Sequence, residues 1–356
     1  MSTFGESHGP ALGVVLDGFP AGMELCEDDI QRFLDRRKPG RSAATTSRPE
    51  ADKAEILSGV FGGKTTGTPI AVIIRNTSQR SGDYDAIADL YRPGHADMTF
   101  DLKYGFRDHR GGGRSSGRET AARVAAGAIC QKLLSEMGIT VLAYTSSIGD
   151  VHVNKDNIDR ELVLTTATSM PDADADRKAL ELIKKLRAEG NSIGSSVDCI
   201  MDGVPAGIGD PVFCKLDALL AGAVMSIGSV KSVSIGDGHL VSERLGSENN
   251  DSFIPADDGS ISVSTNHAGG ILGGISDGAP ILLHADCKPT PSISIPQDTV
   301  NKKGEASKII IEGRHDPVIA PRAAVVVETM CAFVLLDSML AGMSSRAENV
   351  ISFYCR

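Results

Sequence analysis

Apolar positions recur along this chain with two periods. A helical spacing marks Glu27–Arg37, where Ile30, Phe33 and Leu34 share one face. Its first turn carries acids and its last turn Arg36 and Arg37, the polarity that complements a helix dipole. The same spacing predicts a helix over Arg118–Met137, with Ala122, Ala125, Ile129, Leu133 and Met137 on one face and a stop at Gly138. It also predicts a charged surface helix over Asp176–Glu189, ending at Gly190. Lys215–Met225 and Arg322–Leu340 are more uniformly apolar, and the last is expected to be almost fully buried. Between the helices, Leu12–Leu16, Ile70–Ile74, Thr140–Ala143, Ser195–Met201, Ser232–Ile235 and Ile281–His284 read as short strands. Gln79–Pro93 and Gly246–Ser260, rich in Gly, Ser, Asn and Asp, read as mobile loops.

The pattern also repeats itself. The run Val15-Leu16-Asp17-Gly18-Phe19-Pro20-Ala21-Gly22-Met23 returns as Ile200-Met201-Asp202-Gly203-Val204-Pro205-Ala206-Gly207-Ile208, each time ahead of a helix. A weaker echo links Arg118–Leu134 to Arg322–Leu336. The spacing is too long for a solenoid. It predicts a duplicated strand–turn–helix unit: one pseudo-symmetric α+β domain over 1–356, with halves of roughly 1–190 and 191–356 around a shared core.

Composition narrows the class. A chain of 356 residues that is 41% hydrophobic can bury a sizeable core. The sequence reading finds no apolar run of about 18 residues or more, and hence no membrane span. It finds no signal peptide, which makes the cytoplasm the expected compartment. Seven cysteines without CxxC spacing read as reduced thiols, not as a disulfide or metal framework. A net charge of −10, no tryptophan and 4% aromatics argue against a nucleic-acid partner. The arginines are nonetheless local, crowding into Arg32–Arg48 and Arg107–Arg123, as expected of positive charge concentrated at a pocket.

Four segments join titratable groups to glycine-permitted turns: Gly5-Glu6-Ser7-His8-Gly9, Arg92-Pro93-Gly94-His95-Ala96-Asp97, Arg107–Glu119 and Gly313-Arg314-His315-Asp316-Pro317. In the third, Gly111-Gly112-Gly113-Arg114-Ser115-Ser116 stands just before a helix. Backbone N–H groups, hydroxyls and guanidinium together could cradle a phosphate there. A flexible loop with a serine cap is the alternative. His8, His95, His109 and His315 each adjoin glycine or arginine and His267 stands two positions before Gly269, whereas His152, His239 and His284 read as structural. Histidine suits proton donation near neutral pH because its unperturbed pKa is about 6.5.

With Asn266-His267-Ala268-Gly269-Gly270 and Lys288-Pro289-Thr290, these runs stand in the order and approximate spacing of chorismate synthases, over essentially the whole chain. The chain therefore resembles the chorismate synthase family. That resemblance implies a lyase converting 5-enolpyruvylshikimate 3-phosphate to chorismate by 1,4-anti elimination of phosphate, in the shikimate pathway of aromatic amino acid biosynthesis. It implies dependence on reduced FMN without net redox change, and a fold that packs helices between antiparallel sheets. By motif position, His8 would protonate the leaving phosphate beside Ser7. His95 would stabilise the flavin, and Asp316 would assist removal of the ring C6 proton. Arg114, Ser115, Ser116, Gly228, Ser229, Gly273, Lys288, Pro289, Thr290, Pro291, Ser292 and Arg314 would contact the flavin. Arg37 and Arg48, with Arg110, would hold substrate anions. Similar enzymes are homotetramers. Nothing in this chain forms an evident nicotinamide (NADP) site through which it could reduce its own flavin with NADPH, so a separate flavin reductase is the expected partner, with no metal.

The chain also departs from the family pattern. Similar enzymes carry a segment of about ten residues, including a strand, ahead of the first motif; either the start site is misassigned here or that strand is missing, in which case the backing of His8 is expected to differ. Ala43 stands for a frequent arginine, Gly228-Ser229 for Asn-Ala, and Pro291 for a serine, changes expected to alter affinity more than chemistry. Two other classes compete: a different nucleotide-dependent oxidoreductase, for which a G-x-G-x-x-G after the first strand is missing, and a non-catalytic phosphate-metabolite binder.

Overall fold

The computed structural model describes residues 1–40, 42, 44–45, 51–77, 88–256, 259–311 and 316–355. Strand β1 (Ser2–Gly5) pairs antiparallel with β2 (Ala11–Leu16). A turn leads into α1 (Glu27–Arg37), whose bounds match the apolar spacing and whose Ile30, Phe33 and Leu34 are buried. Next come β3 (Ala54–Ser58), a tight hairpin of β4 (Val60–Phe61) and β5 (Lys64–Thr65), and β6 (Ile70–Arg75). The first sheet has the order β1-β2-β6-β3. Helix α2 (Asp97–Tyr104) and two 3-10 turns precede α3 (Thr120–Glu136).

The second sheet begins at β7 (Thr140–Ile148) and β8 (Val151–His152). The short α4 (Leu162–Thr165) and the peripheral α5 (Ala173–Ala188) follow, then β9 (Ser195–Asp202), α6 (Leu216–Met225) and β10 (Val230–Ile235). One-turn α7 (Gly246–Asn249) and the hairpin of β11 (Phe253–Pro255) and β12 (Ile261–Val263) occupy a segment expected to be loop. The hairpin of β13 (Ile271–Leu272) and β14 (Ile275–Ser276) leads to β15 (Ile281–Cys287). Then come β16 (Gln297–Val300), β17 (Ala306–Ile309), α8 (Ala320–Gly342) and α9 (Ala347–Tyr354). This sheet has the order β10-β15-β9-β7-β8.

The layers follow from which faces are apolar. Leu12, Val14 and Leu16 of β2 and Ile70, Val72 and Ile74 of β6 alternate into the core, as period two requires. Helices α1 and α3 lie on the first sheet, α6 and α8 on the second, and α3 packs against α8 between the layers. One apolar core runs from Leu12 to Leu336. The fold is α+β, with helices between two antiparallel sheets. Helix α3 is buried nearly all round, not along one face as its spacing suggested, because it meets a sheet on one side and α8 on the other. Their approach is close: a Cβ on Gly127 would lie 2.1 Å from the Thr329 carbonyl oxygen. By length and mean hydropathy of 1.9, α8 could cross a bilayer, which the sequence reading overlooked; 72% of its most apolar stretch is buried inside the protein.

The halves match element by element. The order β1-β2-β6-β3 has its counterpart in β7-β9-β15-β10, with α6 in the place of α1 and α8 in the place of α3. Gly18 and Gly203 have φ of 77° and 76°, and Gly22 and Gly207 have 96° and 98°. Each turn docks on its hairpin identically. The Thr65 hydroxyl donates to the Pro20 carbonyl and accepts from the Met23 N–H, and the Ser276 hydroxyl does the same with Pro205 and Ile208. In this correspondence β7 takes the place of β1 and pairs along its length with β9.

Candidate active site

A cavity of about 580 Å³ opens where α3 and α8 begin, with Thr120 and Ile319 in its wall. Two helix starts thus border one space, and their dipoles favour an anion there. Around it the chain gathers Ser7 and His8, Gly94 and His95, Gly111 to Gly117 in part, and Asp316.

His8 sits on a turn closed by the Gly9 N–H donating to the Glu6 carbonyl, at 3.1 Å. The residue is 8% exposed, and its Nδ1 lies 2.9 Å from Ser7 Oγ. Asn76 Nδ2 donates to the carbonyls of Glu6 and Gly9. Arg114 donates to the Gly5 carbonyl at 2.9 Å and to Thr3 Oγ1 at 2.6 Å. The turn is therefore braced from inside the chain. Gly111 has φ +79°, and a Cβ there would stand 2.4 Å from His8 Cε1, so only glycine lets this loop close on the imidazole.

His95 is oriented by a carboxylate. Its Nδ1 lies 2.9 Å from Asp97 Oδ1, and Arg92 grips the same carboxylate through Nε and Nη2, each at 2.7 Å. Burial would push Asp97 up, but hydrogen bonds from Arg92 and His95 outweigh it and hold the carboxyl well below the usual range. An ionised Asp97 accepts, which puts the His95 proton on Nδ1 and leaves Nε2 toward Gly112, 3.3 Å from where its Cβ would be. Arg92 also donates to the Gly111 carbonyl at 2.6 Å, tying the two loops together.

Part of the wall is cationic. Arg37, Arg118 and Arg322 line it. Arg322 donates to Asp316 Oδ2 at 2.6 Å and to the Arg37 carbonyl at 2.9 Å. Asp52, whose side chain is fully buried, accepts from both Arg37 and Arg118. A third side carries Ser115, Ser116, Ser229, Lys231, Thr290 and Ser292. Lys288 Nζ donates to the Gly94 carbonyl at 2.5 Å, and burial with the nearby Lys231 holds Lys288 below the usual lysine value. Ser229 is held at φ +83°, a strained conformation for a non-glycine residue, where the chain turns past the cavity.

Of the residues expected from sequence, Ser7, His8, Arg37, His95, Ser115, Ser116, Gly228, Ser229, Lys288, Thr290, Pro291, Ser292 and Asp316 line the cavity. Pro289 follows Lys288 but is not in the lining, and Arg114 is engaged with β1. Gly273 forms the β13–β14 turn, the counterpart of Gly62, with open space around it. Arg110 pairs with Asp108 at the surface, at 2.8 Å. Arg48, Arg314 and His315 lie outside the described residues. His267 binds Asp237 and Arg244 elsewhere, and neither it nor His109 reaches the cavity. The arginine crowding has mostly internal causes: Arg36 pairs with Glu328, Arg107 with Asp101, and Arg123 with Glu119. Sequence reading missed Arg92, Arg118 and Arg322 as residues of the cavity wall, and Asp52 as the carboxylate behind it. The echo of Arg118–Leu134 in Arg322–Leu336 held a signal, since both arginines precede or open a central helix beside the cavity.

Comparison with known proteins follows the same lines. A chorismate synthase family model matches residues 1–340. The chain is 56% identical over 354 residues to the chorismate synthase of Agathobacter rectalis, across 99% of this chain and 96% of that one. It is 55% identical, over the same length and coverage, to that of Lachnoclostridium phytofermentans. A crystal structure of chorismate synthase superposes with a TM-score of 0.77 at 32% identity, across 99% of this chain and 94% of that chain.

Proposed function

The chain belongs to the chorismate synthase family of carbon–oxygen lyases, and from that premise we propose that it eliminates phosphate from 5-enolpyruvylshikimate 3-phosphate in this cavity, with reduced FMN as cofactor. The observation that carries the reading is the facing of His8 and Asp316 on one space walled by Arg37, Arg118 and Arg322. A substrate with one phosphate and two carboxylates needs that many cations, and planar guanidinium groups suit such anions.

Arg37, Arg118 and Arg322 bind and orient the substrate anions, and the N-termini of α3 and α8 add to the field that receives phosphate. His8 holds a proton at the leaving phosphate oxygen, its ring fixed by Ser7 at Nδ1. Asp316, anchored by Arg322, assists removal of the ring C6 proton. The residues present fit a flavin. Gly111 and Gly112 give a flat approach beside His95, and the hydroxyls of Ser115, Ser116, Ser229, Thr290 and Ser292, with Lys231 and Lys288, suit a polyol chain ending in phosphate. A volume of about 580 Å³ lies within the range of small-molecule sites. Reduced FMN, when bound, supplies electron density that eases departure of phosphate. A separate flavin reductase supplies the reduced cofactor, and the enzyme works as a cytoplasmic homotetramer, as similar enzymes do.

The test is an anaerobic assay with chemically reduced FMN and the enolpyruvyl phosphate. Chorismate is expected; folded protein that binds FMN yet yields none overturns the lyase reading in favour of a non-catalytic binder. His8→Ala is expected to bind both ligands while turnover falls by about 10²–10⁴, and unchanged turnover removes His8 as the acid. Turnover in air with NADPH and FMN alone would remove the need for a reductase.

A further inference from the structure

Asp52 is an aspartate with no solvent contact at its side chain, placed behind the cationic wall and not among the residues that line the cavity. One carboxylate oxygen accepts from Arg37 Nη2 at 2.5 Å and the other from Arg118 Nη1, so a single acid joins two guanidinium groups from different parts of the chain. Both arginines are tied down further. Arg37 Nη1 donates to the Gly117 carbonyl at 3.3 Å, and Arg118 Nε donates to Asn76 Oδ1 at 2.9 Å. Burial would raise the Asp52 carboxyl, but Arg37 and Arg118 overcome this and keep it below the ordinary range.

Its backbone is built for that placement. Asp52 has φ +44°, left-handed for a non-glycine residue. Gln31 of α1 holds it there: the Gln31 amide donates to the Asp52 carbonyl at 3.3 Å and accepts from the Ala54 N–H at 3.1 Å. A strained residue is retained where the surrounding structure over-determines it, and such residues cluster at binding sites.

We propose that Asp52 is a positioning residue for the anion wall, aligning Arg37 and Arg118 so that both guanidinium groups meet the anionic groups of the substrate. This rests on reading the cavity as the site of a phosphorylated, carboxylated substrate. The role makes a prediction opposite to that of charge alone. Removing a carboxylate beside two arginines leaves the wall more positive, which by Coulomb attraction would tighten anion binding. If alignment governs, binding weakens despite the gained charge.

Inorganic phosphate and the substrate are the probes. Asp52→Asn is expected to weaken phosphate binding, measured calorimetrically, by about tenfold to a hundredfold, the loss of a charge-assisted hydrogen bond. Substrate KM rises by a similar factor while kcat and FMN affinity change by less than about threefold, a split that a loss of fold alone does not produce. Asp52→Glu keeps the charge but displaces the carboxylate by one methylene, so it carries the test should the asparagine variant not fold; its KM is also expected to rise. The double variant Asp52→Asn with Arg118→Lys should lose less than the sum of the single changes. Phosphate binding that is undiminished or tighter in either Asp52 variant, with the unaltered protein binding phosphate, overturns the role of Asp52. No phosphate binding by the unaltered protein overturns the reading of the cavity itself, and the role with it.

Discussion

Gly111 shows how much rests on one missing methyl group. Its φ of +79° and its approach to His8 mean that Gly111→Ala must move either the loop or the imidazole. Turnover is expected to fall by at least about tenfold, equivalent to 1.4 kcal/mol of transition-state stabilisation, with FMN binding retained. Wild-type turnover in that variant would show that the contact has no bearing on His8. The dyad of His95 and Asp97 is similar in kind: the histidine was legible in sequence as a residue beside glycine, whereas its partner two positions on was legible only as part of a turn. Distances and the Arg92 grip give Asp97 its role.

At the scale of elements, α1 was readable to the residue because it is amphipathic, with one buried stripe. Strand β1 was not, since its four residues alternate between exposed and half-buried and β2 stabilises them from one side only. The hairpins at β4–β5 and β13–β14 are two-residue arms set by glycines, too short for a periodic signal. The packing of α3 on α8 was invisible for another reason: alanine-rich helices look alike whether they face a sheet or each other. Gly127→Ala tests that packing. A Cβ 2.1 Å from the Thr329 carbonyl oxygen has no room, and overpacking of this sort costs about 1–3 kcal/mol. A lower urea midpoint is expected, and an unchanged one would mean the helices part at little cost. Glu328 joins the layers, accepting from Arg36 at 2.5 and 2.8 Å and from the Ala143 N–H at 2.9 Å. Glu328→Ala should destabilise the protein by about 3–5 kcal/mol, as expected when one member of a buried pair is removed.

For the whole molecule, the duplication explains why the cavity lies where it does. Two matching units stack their central helices, and both helix starts come to the same end of the sandwich. Buried carboxylates held by arginines there also set the response to acid. Asp52 and Asp97 both have folded-state pKa values below normal, against burial and through their arginine partners. Each therefore contributes stability that is full above the unfolded value of about 3.9 and declines as pH falls toward the folded value. Urea unfolding from pH 6 down to pH 3 should show stability falling below about pH 4, with a shallower fall in Asp97→Asn than in the unaltered protein. Equal slopes would mean that Asp97 titrates alike in both states.

The sequence by itself determined the periodic elements, the duplicated turn and the glycine-flanked histidines, because those depend on neighbours along the chain. The order of motifs was enough to identify the family. Tertiary structure decided which arginines face the cavity and which serve internal carboxylates and carbonyls, because a guanidinium reads the same in either setting until its partner is known. And it brought Asp52 to Arg37 and Arg118, across 15 and 66 positions of chain, a meeting that no local pattern encodes.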